Sequence, residues 1–153
     1  MAEEMIYPAY SFKINTEGAK PQIFDEFRKK WVVLSPEEWI RQHVLTYLQK
    51  EKGFPAGLTS VEAGIELNGL NRRCDVIYFS KEHQPMMIVE CKAPDVVIDQ
   101  SVFDQVWIYN MKLKVPFLLL TNGKMQVFAR VSEGAKPGFM AELPDFETLN
   151  SWI

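Results

Sequence analysis

MMIVECK, residues 86–92, is an apolar stretch of the sequence that ends in an acid and a base. Side chains of a β-strand alternate between the two faces of a sheet, so Glu90 and Lys92 are predicted to project from one face. Met86 and Ile88 are expected on that same face, and Cys91 on the other. The stretch therefore predicts a strand that carries two charged side chains next to each other in apolar surroundings.

A second strand is predicted upstream, where Asp75 precedes the apolar run VIYF at residues 76–79. A polar turn connects it to the strand at 86–92. If the two strands pair, Asp75 and Glu90 approach each other at one end of the sheet. The two strands therefore identify the end of the sheet where chemistry is expected.

A helix is predicted to start at Ser35, which suits the N-cap, with Pro36 at the first helical position. Glu38 stands three residues after the cap, as in a capping box, and Gly53 ends the helix. Two Asn-Gly pairs, at 68–69 and 122–123, predict tight turns between antiparallel strands.

The order of elements indicates an α/β (α+β) fold in which a mixed β-sheet is flanked by helices. One domain is expected over residues 1–153, with an irregular N-terminal arm at 1–34, a core at 35–130 and a C-terminal tail at 131–153. The elements expected after the arm are a helix at 35–53, strands at 59–67, 73–79 and 86–92, a helix at about 99–111, strands at 117–121 and 124–130, and a short helix within 145–152.

Composition limits the classes of protein. Hydrophobic residues make up 47% of the chain and charged residues 24%, which favours a globular fold over disorder. No apolar run is long enough to cross a membrane, no secretion leader is seen, and a cytoplasmic location is expected. The motifs of P-loop ATPases and zinc sites are missing, and Cys74 and Cys91 are expected to be reduced thiols.

The net charge of −3 does not favour tight, sequence-independent coating of nucleic acid. It fits better with a site that holds cations, or with DNA affinity that a partner supplies. Three basic clusters, at 28–30, 72–73 and 112–114, are first interpreted as solvated surface.

Two carboxylates held close together repel each other unless a cation lies between them. Asp75 and Glu90 are therefore predicted to hold a hard divalent ion such as Mg²⁺, with the backbone carbonyl of Cys91 as a third ligand. Lys92 would lie beside metal-bound water and stabilise developing charge, which suits phosphodiester hydrolysis. The competing interpretation is an ordinary set of salt bridges on an exposed edge of the sheet.

The pattern Asp75…Glu90-Cys91-Lys92 resembles the signature of PD-(D/E)XK nucleases, and Gln105 and Tyr109 match the QxxxY element of one branch of that superfamily. The segments at 28–42, 71–75, 90–94 and 120–123 resemble the N-terminal nuclease domain of type I restriction enzyme R subunits. They are more similar still to short stand-alone proteins built from that domain, over roughly residues 22–130.

The resemblance implies a restriction-endonuclease-like fold and a Mg²⁺- or Mn²⁺-dependent endonuclease that cuts DNA. It implies Asp75 and Glu90 as metal ligands, Lys92 as the catalytic lysine, and supporting or DNA-contacting roles for Gln105, Tyr109 and Arg73. A glutamate of the first helix completes the metal site in such folds. Glu38 is the candidate and Glu37 the second choice, although Glu38 also fits the capping box.

The same resemblance implies DNA, other restriction-system or motor proteins and a second copy of the chain as partners. The ATP-driven translocase of complete R subunits is not seen in this sequence. The alternative expectation is therefore a catalytically inactive nuclease-fold module that binds nucleic acid or a protein partner.

Overall fold

A computed structural model describes residues 4–132 and 136–153 of the chain. Residues 1–3 of the expected arm and 133–135 of the expected tail lie outside the described residues. The elements, in chain order, are β1 (Ile14–Asn15), β2 (Gln22–Asp25), β3 (Lys30–Val33), α1 (Pro36–Lys52), a short 3-10 helix (Ala56–Leu58), β4 (Thr59–Leu67), β5 (Leu70–Phe79), β6 (Pro85–Cys91), α2 (Gln100–Leu113), β7 (Phe117–Thr121), β8 (Gln126–Arg130), β9 (Gly138–Met140) and α3 (Phe146–Ser151).

The larger sheet is mixed and has the strand order β4-β5-β6-β7-β8-β9. Its neighbouring strands are antiparallel except β6 and β7, which are parallel. A parallel pair needs a crossover connection, and α2 provides it. The predicted α+β fold, with a mixed sheet and flanking helices, is confirmed.

Apolar side chains cover both faces of the central strands. On one face, α1 residues such as Val44 and Leu48 pack in a cluster with Val89 of β6. On the other face, α2 residues such as Phe103 pack against Leu120 of β7. Burial on both faces explains why the central strands are apolar almost throughout. It also makes the ends of these strands the places where charged side chains can meet.

The ends of α1 are where the sequence predicts them. The Ser35 hydroxyl accepts a hydrogen bond from the backbone N–H of Glu38 at 3.0 Å, Pro36 is the first helical residue, and Gly53 ends the helix with φ +70°. The cap fixes the helix start, and with it the direction in which Glu37 and Glu38 leave the first turn. In the described ranges, no helix is both long and apolar enough to cross a bilayer.

Three elements differ from the sequence-based expectation. The arm expected to be irregular contains a three-stranded antiparallel sheet, β1-β2-β3, whose strands of two to four residues are too short to show a clear alternation. The tail contributes β9 to the edge of the larger sheet. The strand expected from Lys124 begins at Gln126, because Asn122 Oδ1 accepts the N–H groups of Lys124 and Met125 and extends the turn.

Gly123, in the turn between β7 and β8, is a position where a side chain should not fit. Its φ is +85°, and an added Cβ would lie 2.5 Å from Ile40 Cδ1 of α1. We expect Gly123→Ala to lower the free energy of unfolding by about 1–2 kcal/mol from the left-handed backbone alone. Urea denaturation measures it. Gly57→Ala is the control, because no atom lies within 4 Å of its added Cβ, and equal losses in both variants would contradict the prediction.

Candidate active site

Asp75 lies where the regular alternation of β5 is interrupted. Cys74 and Val76 are two residues apart yet pack in different apolar clusters. On the neighbouring strand, Glu62 has φ +49°, and the register pairs Val61 with Val76 and Ala63 with Cys74 but leaves Glu62 and Asp75 unpaired. This local distortion redirects the Asp75 side chain towards the end of β6, as such irregularities do beside functional sites.

The structure brings Asp75 and Glu90 together. β5 and β6 pair antiparallel from Val76 and Val89 onward, which makes the two carboxylates neighbours. Asp75 Oδ2 accepts the backbone N–H of Cys91 at 2.8 Å, and Asp75 Oδ1 accepts from Arg41 Nη2 at 3.1 Å. The aspartate is therefore held on both oxygens.

Glu90 is buried, and its surroundings make the ionised form costly. Burial and the negative charge of Asp75 raise its pKa to about 8, although Arg72 and Lys92 act in the opposite direction. Glu90 Oε1 lies 2.8 Å from Arg72 Nη2, but this ion pair lacks hydrogen-bond geometry. The buried oxygen has no hydrogen-bond partner among the described residues, so it is open to a further cation or proton.

Cys91 presents its backbone, not its thiol, to this pair of carboxylates. The thiol is packed in the same apolar cluster as Val89. The next N–H along the chain, that of Lys92, donates to Thr121 O of β7 at 2.9 Å. Since the N–H and C=O of one strand residue point to the same side, the Cys91 carbonyl lies on the β5 side, with its N–H and Asp75.

Lys92 follows the last residue of β6 and is half-buried. Its positive charge lowers the pKa of both Glu37 and Glu90. The pKa of Glu37 is nevertheless raised, by burial first and by Asp75 second. Lys92 and Glu37 thus belong to the same group of charges as the Asp75–Glu90 pair.

Glu38, the first candidate for the additional carboxylate, has both oxygens occupied. Oε1 accepts from Arg41 at 2.7 Å and from Arg28 at 2.9 Å, and Oε2 accepts from Gln42 at 3.0 Å. Glu37 makes a contact of 3.2 Å with Arg41, and its side chain is 46% exposed. Both glutamates in the first turn of α1 therefore contact an arginine, but the Glu38 carboxylate is enclosed by its partners whereas that of Glu37 is partly open to solvent.

Arg41 is a residue of this site that the sequence-based reasoning missed. Its side chain is 4% exposed and contacts Asp75, Glu37, Glu38 and Glu62. Arg41 follows Glu38 by three residues and Glu37 by four, a spacing that predicts ion pairs on one face of a helix. Its contact with Asp75 joins residues 34 positions apart and has no counterpart in the sequence pattern.

Tyr109 reaches the site through a second arginine. Arg72 Cζ lies 4.7 Å from the centroid of the Tyr109 ring, a cation–π contact, while the same guanidinium pairs with Glu90. Gln105 is exposed one turn earlier on α2. Arg73 is also exposed and lies 4.0 Å from Glu62, away from the two central carboxylates. Arg72 is thus the arginine of this pair that contacts Glu90. The sequence suggested it only as part of a basic surface cluster.

This arrangement fits a hard divalent ion better than a soft one. No group of three or more His, Cys, Asp or Glu side chains in residues 4–132 and 136–153 is placed to hold a metal. Two carboxylates and a backbone carbonyl nevertheless form an all-oxygen set of the kind that Mg²⁺ uses together with several waters. The observation in favour of such an ion is that the buried Glu90 Oε1 receives no hydrogen bond and has only the ion pair with Arg72.

The chain is similar to a known protein family. A model of the family described as "Type I restriction enzyme R protein N terminus (HSDR_N)" matches residues 36–144. A solved structure from Anabaena variabilis ATCC 29413, of a DUF820 protein proposed to be a nuclease, is 12% identical, with a TM-score of 0.49 over 90% of this chain and 94% of that one. No curated protein matches the sequence.

The mixed sheet flanked by helices and the charged residues at the end of β6 agree with the restriction-endonuclease-like class of protein that the sequence resemblance implies. More particularly, the chain belongs to the family of type I restriction enzyme R protein N-terminal domains, since the match covers most of its length. The resemblance seen in the sequence is thereby confirmed at the level of the family.

Arg41 should be the most important cation for stability, because it compensates buried carboxylates. Arg41→Met leaves Glu38 without one of its partners and Asp75 without a guanidinium, and we expect a loss of about 3–5 kcal/mol in the free energy of unfolding. Lys29→Met is the matched control, since Lys29 is 74% exposed and its pair with Glu26 spans 3.5 Å. Similar losses in the two variants, measured by urea denaturation, would contradict this prediction.

The raised pKa of Glu90 predicts a dependence of stability on pH. The folded protein keeps a proton on Glu90 where the unfolded chain, with a pKa of 4.5, has lost it. The stabilisation is fully present below pH 4.5 and is lost as the pH rises through about 8.

Glu90→Gln cannot ionise, so its stability relative to the wild type should rise across this pH range. Metal-free urea denaturation at several pH values measures the difference. Glu66→Gln, at an exposed position, should show no such trend. A constant difference between Glu90→Gln and the wild type would show that Glu90 does not retain its proton.

Proposed function

We propose that this chain is a Mg²⁺- or Mn²⁺-dependent endonuclease that hydrolyses DNA phosphodiester bonds, with Asp75, Glu90 and Lys92 as its catalytic residues. The observation that carries the proposal is the meeting of Asp75 and Glu90 at the end of β5 and β6, with the charge of Lys92 acting on Glu90. Membership of the restriction enzyme family supports DNA as the substrate.

Asp75, Glu90 and the carbonyl of Cys91 would hold the metal ion. When bound, the ion supplies a Lewis acid that polarises the phosphate and promotes ionisation of water. The Cys91 N–H keeps Asp75 in position through its hydrogen bond of 2.8 Å. The Lys92 ammonium orients the attacking water and stabilises negative charge on the phosphate oxygens.

Glu37, rather than Glu38, is the glutamate we propose to complete the site. Glu38 is already bound by Arg28, Arg41 and Gln42. The pKa of Glu37 is raised by burial and by Asp75 and lowered by Lys92, which supports its closeness to the reacting groups. Its partly exposed carboxylate can hold a water molecule of the metal at little cost in broken ion pairs.

The supporting residues divide between positioning and substrate contact. Arg72, held against the Tyr109 ring, keeps a positive charge at Glu90. Gln105 and Arg73 are exposed and are proposed to contact DNA. The proposed partners during DNA cleavage are other restriction-system or motor proteins, or a second copy of the chain.

Cleavage of circular and linear DNA tests the proposed chemistry. With Mg²⁺ or Mn²⁺, the wild type should linearise circular DNA, which requires endonuclease activity. Asp75→Asn, Glu90→Gln and Lys92→Met should each lose at least about a hundredfold in rate. Glu66→Gln removes a carboxylate from an exposed part of β4 and should cut at the rate of the wild type. Full activity in all three site variants would reject the assignment.

A non-catalytic nuclease-fold module is the alternative, and one observation favours it. Arg41 and Arg72 already provide positive charge to Asp75 and Glu90, so the carboxylates have counter-charges without a metal. Calorimetric titration with Mn²⁺ separates the two functions. A catalytic site binds the ion and loses affinity in Glu90→Gln, whereas a metal-independent module gives no heat of binding in either protein.

A further inference from the structure

A cleft of about 570 Å³ opens beside the candidate active site. One of its walls is the start of α1 with Glu37, and Ala93, the neighbour of Lys92, also lines it. Arg28, Lys30, Val32 and Val33 of the β2–β3 hairpin, residues 22–33, also line it. This hairpin precedes Pro36, the first residue of the family match. The hairpin is therefore a feature of this chain that the matched family region does not include.

Buried ion pairs fix the hairpin against the rest of the molecule. Asp25, at the end of β2, is fully buried and accepts the backbone N–H groups of Phe27 at 2.7 Å and Arg28 at 3.1 Å. The Arg28 guanidinium binds Asp25 and continues to Glu38 at 2.9 Å and Glu62 at 3.2 Å. Breaking a buried ion pair is costly, so these contacts hold the hairpin against α1 and β4.

The register of the hairpin directs Lys30 into the cleft. Lys30 is the cross-strand partner of Asp25, and such partners project from the same face of a sheet. Asp25 points into the protein, so Lys30 leaves the hairpin on the side that faces the cleft, where it lines the wall. Trp31, the next residue, is 43% exposed and belongs to the other face.

Lys30 is the cation of the cleft lining that pairs with no carboxylate among the described residues. The lining carries three positive charges (Arg28, Lys30 and Arg41) and three negative ones (Glu37, Glu38 and Glu62). Arg28 and Arg41 together bind all three carboxylates. In the described part of the chain, no salt bridge or hydrogen bond engages the Lys30 ammonium. The Lys30 ammonium is thus available to a ligand that enters the cleft.

We propose that this cleft seats one strand of the DNA substrate, with Lys30 binding a backbone phosphate other than the one that is cut. The inference rests on the proposed function for the identity of the strand. A phosphodiester backbone repeats its negative charge, so a strand that offers one phosphate to Lys92 carries further phosphates that can reach a lysine in the neighbouring cleft. The hairpin is then a substrate-binding element beside the proposed catalytic residues.

Binding without cleavage tests this assignment. The experiment has two arms, one with a fluorescein-labelled single-stranded oligonucleotide and one with the labelled duplex. Each DNA is titrated with protein in CaCl₂ over a series of salt concentrations, and gels check that it stays intact. Lys30→Gln should weaken binding about threefold to tenfold and reduce the slope of log K against log [salt] by about 1. Lys30→Arg should keep both values near those of the wild type.

Lys20→Gln is the matched control, because Lys20 is an exposed lysine outside the lining of the cleft. Its affinity and salt slope should equal those of the wild type. Thermal melts establish that all variants are folded. If Lys30→Gln and Lys20→Gln bind alike in both arms, Lys30 does not contact the strand and the inference is overturned.

The outcomes separate this inference from the proposed function. Cleavage that depends on Asp75 and Glu90, together with a Lys30→Gln variant that binds normally, overturns only the role of the hairpin. If cleavage does not depend on those carboxylates but Lys30→Gln weakens binding, the proposed catalytic site is overturned and the cleft is supported as a DNA-binding site. A wild-type protein that neither binds nor cuts DNA overturns both.

Discussion

The repulsion between two neighbouring carboxylates, Asp75 and Glu90, is the constraint on which the rest of the structure depends. Both are removed from bulk water, where the cost of like charges is high. Positive charge from several sources offsets it: Arg41 from α1, Arg72 from β5, Lys92 after β6 and the proton that the raised pKa of Glu90 retains. A divalent ion would replace that proton, which is why the same arrangement suits a metal-dependent hydrolase.

The counter-charges also tie separate elements together. Arg41 joins α1 to β4 and β5, and Arg28 joins the N-terminal hairpin to α1 and β4 through the same two glutamates, Glu38 and Glu62. Removing water from these groups is expensive, so the network specifies one relative placement of helix, hairpin and sheet. The ion pairs determine how the helix, the hairpin and the larger sheet are placed around the end of β6.

The features of the structure that the sequence predicts correctly depend on interactions between residues that are close along the chain. The capping signals around Ser35, the Asn-Gly hairpin at 68–69 and the apolar strands follow from interactions within a few residues, and the meeting of Asp75 and Glu90 follows from pairing of consecutive strands. The contact between Arg41 and Asp75 depends on how a helix lies on a sheet, and periodicity carries no such information. The choice between Glu37 and Glu38 depends on the same packing, since both lie in one helical turn.

The orientation of Cys91 has a practical consequence. Its thiol lies in the apolar core with a pKa raised well above the ordinary value, and burial raises the pKa of Cys74 to about 11. Thiolates are the reactive form, so alkylating reagents and mild oxidants should leave both residues untouched in the folded protein. A cysteine introduced on the surface can therefore carry a spectroscopic label while both native thiols stay in place.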